Sequence, residues 1–293
     1  MIYTIQNEKL KVDVTDLGAE LQSIYGKTNK FEYLWQGNPE FWGGRAYVLF
    51  PICGRLFDGK YIYNGKTYQM NLHGFSRKSI HKMIEKTDTS IEFELTESPE
   101  TLQQYPFRFI FRIKYLLDGA KLKTILTVIN PDEQVLPFSI GGHPGFNIPL
   151  EEGISDEEHY LEFDSECKVT VLDCSSTCFG LGTQRDFPLV NDKIVNFKHS
   201  LFDNDAIFFN NIPNGISLKA KNSDRFVKVT YNDMTHLGLW HKPLSKAPFV
   251  CIEPWHGVFS TDGIVDDFQT KKELIHLQPK NTYQTFIDIE VNE

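Results

Sequence analysis

A chain of 293 residues, 41% hydrophobic and 24% charged, has ordinary globular composition and enough length to bury a large core. A net charge of −9 argues against nucleic acid and anionic membrane as partners, because both demand a basic footprint, and weighs mildly against an anionic substrate. The N-terminus, MIYTIQNEKLKVDV, lacks the charged start and apolar core of a signal peptide, and no apolar run approaches the ~18–20 residues of a membrane span, so a soluble, cytoplasmic protein is expected.

In chain order, period-two alternation first appears at Leu10–Val14. Tyr61–Tyr63 and Lys66–Tyr68 flank Asn64-Gly65, a two-residue hairpin signal. Alternation returns at Ile91–Leu95. Ser98 then reads as an N-cap before a proline at the first helical position, predicting one or two helical turns over Pro99–Tyr105. Phe107–Tyr115 and Lys121–Ile129 alternate on either side of Asp118-Gly119, and Asn130-Pro131 closes that pair. Glu151–Tyr160 is acidic and reads as a loop or a short helix. Asn214-Gly215 precedes Ile216–Ala220, and Phe226–Tyr231 and Thr285–Val291 complete the series. An aromatic content of 13%, with 23 Phe and 12 Tyr, leans the same way. With no internal repeat, composition break or long linker, the expectation is all-β: a large antiparallel β-sandwich formed by residues 1–293 as one domain. The five cysteines match no zinc or redox spacing and are expected as reduced thiols.

Polar clusters interrupt the apolar runs. In FSIGGHPGFNIP (138–149), His143 stands among Gly141, Gly142, Gly145 and Pro144. This predicts a stiff strand end where the glycines let a ligand approach the backbone, or else a turn with a hydrogen-bonded histidine. In FPICGRLFD (50–58), Arg55 offers a planar fork for hydroxyls or carboxylates, or an ion pair across a loop. In NLHGFSRK (71–78), His73 and Gly74 open a bend ahead of Arg77 and Lys78, which read equally as a solvated edge. In PFVCIEPWHG (248–257), Glu253 follows an apolar strand; burying it unpaired is costly, so it is either functional or half of a buried ion pair, with Arg55 as a candidate partner. Asp205 is a weaker candidate, equally a turn aspartate.

The segments LFPICGRLFDGKY, NLHGFSR, YPFRF, LPFSIGGHPGFNIPL, FDNDAIFF, LGLW and APFVCIEPWHG occur in an order that resembles the aldose 1-epimerase (galactose mutarotase) family, especially its LacX-like branch. The resemblance implies a β-supersandwich with a sugar cleft across one sheet. It implies Glu253 as general base, His143 as general acid, and Arg55, His73 and Asp205 on sugar hydroxyls, with Arg77 as a further substrate-binding candidate. The segments around His143 and Glu253 differ in composition from those of the better-known galactose mutarotases, which leaves the sugar open.

Anomer exchange in a cyclic aldose needs a base on the C1 hydroxyl and an acid on the ring oxygen, pictured on opposite sides of the anomeric centre, and no cofactor or metal. Trp240 or Trp255 is expected as an apolar platform, with core packing the stronger alternative for Trp240. Three other readings stay open: a hexose-6-phosphate mutarotase using Arg77 and Lys78 on the phosphate; a non-catalytic sugar-binding module; and a metalloenzyme with a His73–His143–Glu253 triad. A monomer or homodimer acting on a small sugar is expected.

Overall fold

The computed structural model describes residues 1–292. Two large sheets hold most of the strand residues. One has nine strands, and the segments that alternate in sequence build most of it: Ser90–Thr96, Ile110–Asp118, Lys121–Ile129, Gly215–Ala220, Phe226–Tyr231 and Thr282–Val291, with Lys82–Lys86, His159–Phe163 and Ile194–Asn196 toward its edges. Every pairing in it is antiparallel. One face is apolar and packed while the other meets water, which is why its strands alternate.

The second sheet has seven strands in the order Gly180–Asp186, Thr170–Cys174, Ile207–Asn210, His236–Trp240, Phe249–His256, Ile140–Asn147, Ala46–Leu49. Its inner face, which includes Val48, Ile140, Phe146, Leu237, Leu239, Val250 and Ile252, joins one hydrophobic core with Phe111, Leu126, Val128, Ile287 and Ile289 of the nine-stranded sheet. Phe50, just past the strand Ala46–Leu49, stacks on Phe111 with centroids 4.5 Å apart. The sheet pair is therefore the expected antiparallel β-sandwich.

Smaller elements follow local chemistry. Asn64 and Gly65 both take left-handed φ, closing the hairpin of Lys60–Tyr63 and Lys66–Gln69 in register. Pro99–Gln104 is the one α-helix among the described residues, and Ser98 and Thr101 cap it reciprocally. Among the described residues, no helix is long and apolar enough to cross a membrane. Glu151–Tyr160 resolves into a loop, a 3-10 turn at Asp156–Glu158 and the start of the strand His159–Phe163. The strand expected from Phe107 begins at Ile110. Alternation persists through Phe107–Phe109, but there the Glu97 carboxylate, rather than a neighbouring strand, accepts the Phe109 N–H.

Candidate active site

The seven-stranded sheet has a second apolar side. Outward from it lie two small clusters, Leu49, Cys53, Phe208, Trp255 and Phe259 on one hand, and Trp35, Ala247, Phe249 and Cys251 on the other. Between them lies a cleft of about 270 Å³. Arg55, His73, Arg77, His143, Asp205 and Glu253 all line it, so six side chains from five separate segments of the sequence converge there.

Strand register places the central pair. Gly141 faces Trp255 and Gly145 faces Cys251, so the residues midway, His143 and Glu253, stand directly opposite each other on the outward face. His143 also faces Tyr47, Glu253 faces Gly238, and Gly238 faces Phe208. One row therefore runs Tyr47, His143, Glu253, Gly238, Phe208 across five strands. His143 Nε2 lies 3.3 Å from Glu253 Oε2, and the carboxylate is only 2% exposed. The gap at Gly238 matters: a Cβ there would sit 3.1 Å from the Phe208 ring and 3.2 Å from Glu253 Cβ.

His73 takes left-handed φ with Gly74, the bend its sequence predicts. A Cβ on Gly74 would lie 2.3 Å from the Phe50 carbonyl oxygen, so only glycine fits. The His73 N–H donates to the Gly54 carbonyl at 2.8 Å, and the Gly54 N–H donates back to His73 Nδ1 at 3.1 Å. In the neutral ring that contact leaves the proton on Nε2. Burial, reinforced by His143, lowers the His73 pKa well below 6.5, so the ring stays neutral. Arg55 Nη1 donates to the Thr177 carbonyl at 3.0 Å. Arg77 places its guanidinium over the Tyr47 ring, 5.0 Å from the centroid. Asp205, at φ +80°, accepts from the Ala206 N–H and from Cys178 Sγ.

Burial governs the electrostatics. It pushes the Glu253 carboxyl well above 4.5, and the nearby Asp205 charge pushes the same way. Burial also lowers His143 to about 3. Both groups therefore favour their neutral forms, a protonated carboxyl beside an uncharged ring. Four buried side-chain atoms of the cleft have no hydrogen-bond partner among the described residues: Arg77 Nε, His143 Nδ1, Glu253 Oε1 and Trp255 Nε1. Only two others are found outside it, His81 Nδ1 and Asp288 Oδ1. Each orphan costs about 1–3 kcal/mol, and their concentration on one small surface makes it a candidate site for a polar ligand.

Several expectations need correction. His143 sits within the eight-residue strand Ile140–Asn147, and Glu253 within Phe249–His256; neither is at a strand end. Gly141, Gly142 and Gly145 do not open the backbone to a ligand. Added Cβ atoms would meet Trp255 at 2.7 Å, Ile287 at 2.9 Å and Trp42 at 3.1 Å, so these glycines let large side chains close over the strand. His143 and Glu253 are direct cross-strand neighbours. Glu253 has no ion pair with Arg55; its charged-type partner is His143. Lys78 leaves the cleft and lines a separate groove near the helix, unlike Arg77. Among the described residues, His73 does not join His143 and Glu253 in a group whose ligand atoms lie close together. A different trio, His143, Cys251 and Glu253, brings its ligand atoms within 4.8 Å of one another, with Cys251 outside the cleft lining.

Both candidate tryptophans line the cleft, but Trp255 is the buried one and Trp240 the more exposed. Sequence reasoning missed Trp42, which stacks on the His143 ring at 4.8 Å, and also Tyr47, Cys178, Phe208 and Phe259. Trp42 and Tyr47 lie in FWGGRAYVLF, where the paired glycines were the only local hint.

A mutarotase-like β-sandwich with a polar-floored cleft on one sheet is the class this architecture defines. The family comparison agrees: the aldose 1-epimerase profile matches residues 1–274, and the chain belongs to that family. It is 32% identical over 300 residues to the plasmid-encoded protein LacX of Lactococcus lactis subsp. lactis, covering 99% of each chain. A galactose mutarotase related enzyme from Lactobacillus acidophilus superposes with a TM-score of 0.95 at 33% identity, covering 100% of this chain and 98% of that one. A galactose mutarotase-like protein from Lactobacillus casei gives 0.93 at 29% identity, with both chains fully covered.

Proposed function

We propose that this protein is an aldose 1-epimerase that interconverts the α and β anomers of a free hexose. The observation that carries the proposal is the cross-strand pair His143–Glu253, 3.3 Å apart on the floor of the cleft, with unpartnered polar atoms on both residues. O1 and O5 of a pyranose are both bonded to C1, so two adjacent side chains reach both oxygens. One member of the pair removes the O1 proton while the other delivers a proton to O5. The C1–O5 bond breaks, C1=O1 forms, and the pair still holds one proton. Rotation about C1–C2 presents the other carbonyl face, and the steps reverse. Because burial favours the neutral pair, Glu253 begins as the acid and the uncharged His143 as the base, the reverse of the roles the resemblance implies, and the return step exchanges them. His73 through Nε2–H, Arg55, Arg77 and Asp205 would hold the ring hydroxyls so that both transfers are in reach. Trp240 and Trp42 would offer apolar surface.

One contiguous core shared by the two large sheets supports treating the chain as a single domain. An unphosphorylated sugar is favoured because only one of the two adjacent cations, Arg77, reaches the cleft. Polarimetry of freshly dissolved α-galactose and α-glucose, run beside glucose-6-phosphate, tests the proposal. Accelerated decay of rotation with a free hexose is expected. Equal spontaneous and protein-containing rates for every sugar would leave only a binding role.

A further inference from the structure

Two of the proposed sugar ligands, Arg55 and Asp205, are held by the same short hairpin tip. Gly180–Asp186 is an edge strand of the seven-stranded sheet, Thr170–Cys174 lies beside it, and Ser175–Phe179 joins the two. The tip is closed on itself. The Ser175 N–H donates to the Phe179 carbonyl at 2.8 Å, the Cys178 N–H to the Ser175 carbonyl at 2.9 Å, and the Phe179 N–H to Ser175 Oγ at 3.2 Å. It is also anchored from outside. Arg55 Nη1 bonds the Thr177 carbonyl, Phe57 packs edge-on against Phe179 at 5.4 Å, and the Gly180 N–H bonds the Ser260 carbonyl at 3.0 Å. At its inner corner Cys178 Sγ donates to Asp205 Oδ2 at 2.8 Å, and both residues lie on the cleft.

Cys178 and Asp205 are both non-glycine residues at left-handed φ, +60° and +80°. Such conformations persist where the surroundings over-determine them, and they gather at functional sites. The thiol has one proton to give, and it gives it to Asp205. The Ala206 N–H takes Oδ1 at 2.9 Å, so each carboxylate oxygen has one fixed donor and one lone pair turned elsewhere. Without the thiol, the Ala206 N–H alone restrains the carboxylate about its terminal torsion.

We propose that Cys178 is a positioning and specificity residue of the sugar site: its S–H fixes the Asp205 carboxylate so that the free lone pair accepts one particular ring hydroxyl. This rests on the anomer-exchange reading for its ligand class. The thiol acts on binding, since it touches neither His143 nor Glu253. Cys178→Ala is expected to raise KM and Kd for the preferred hexose about fivefold to twentyfold with kcat within about twofold of wild type, because a bond to a charged acceptor is lost. Cys178→Ser, which keeps a donor of similar reach, is expected to restore KM to within about threefold.

The experiment measures KM and kcat by polarimetry, and Kd by tryptophan fluorescence, for wild type and both variants on galactose and glucose. Equal KM and Kd in Cys178→Ala and wild type would overturn the proposal. So would equal impairment in Ala and Ser, which would make the sulfur a space-filler, and so would a loss confined to kcat. If wild type binds sugar without accelerating anomer exchange, the catalytic reading falls, and the Kd series alone still decides for or against Cys178.

Discussion

The two large sheets are built from similar strands and put to opposite uses. On the water-facing side of the nine-stranded sheet, opposite charges stand across from each other: Arg112 with Glu94 at 2.8 Å, Lys114 with Glu92 at 3.2 Å, Lys121 with Glu290 at 3.6 Å. These pairs are solvated, and each contributes little. On the outward side of the seven-stranded sheet one cross-strand pair of ionisable groups occupies the floor, His143 and Glu253, shut off by tryptophans and phenylalanines. The same cross-strand geometry gives a solvated ladder of charges where water screens it and a pair of neutral groups where water is excluded. Exclusion of solvent, more than residue type, separates a surface ion pair from candidate chemistry.

The sharpest way to break that comparison is at the buried pair. Glu253→Gln or His143→Asn should lower kcat by about a thousandfold, within the usual range of general acid–base contributions, while Tm stays within a few degrees of wild type. Polarimetry and differential scanning calorimetry on the same samples check this; a folded variant with near wild-type rates would remove the residue from the mechanism. Next comes the core between the sheets. Phe111→Ala deletes a fully buried ring that stacks on Phe50, and should cost about 3–5 kcal/mol in urea unfolding.

A third effect follows from the histidines. Burial lowers His81, His236 and His241 to about 4 from an ordinary 6.5. Each is neutral when folded and binds a proton on unfolding once pH drops below 6.5. Their contribution to stability is therefore complete above pH 6.5 and is lost as pH falls through about 4. The urea midpoint should decline across that window, and a flat profile would contradict the burial of these rings. The smallest effect belongs to the solvated ladder. Arg112→Ala should change stability by less than about 1 kcal/mol, with little response of Tm to added salt in the variant.

Much of the nine-stranded sheet was legible because most of its strands are wet on one side. Lys121–Ile129 and Phe226–Tyr231 match their predicted bounds, and the Asn64-Gly65 hairpin and Ser98 cap follow from local chemistry. The seven-stranded sheet was read as polar motifs instead of strands. Ile140–Asn147 and Phe249–His256 are buried on both faces, so hydrophobicity does not alternate along them although the side chains do. The six site residues were found through the order of their motifs. Trp42 and Tyr47 were missed because an aromatic in an apolar stretch reads as core until its neighbours are known.

Taken alone, the amino-acid sequence determined the all-β class, the turns, the family and which polar side chains interrupt apolar runs, since propensity, period and turn chemistry act over a few residues. Tertiary structure alone decided the rest. His143 meets Glu253 across a register set by long-range pairing, Arg77 enters the cleft while Lys78 leaves it, and the strand glycines are closed over by Trp255, Ile287 and Trp42. Each of these depends on which distant strand lies alongside and on which side water is shut out, and neither is written in any local stretch of chain.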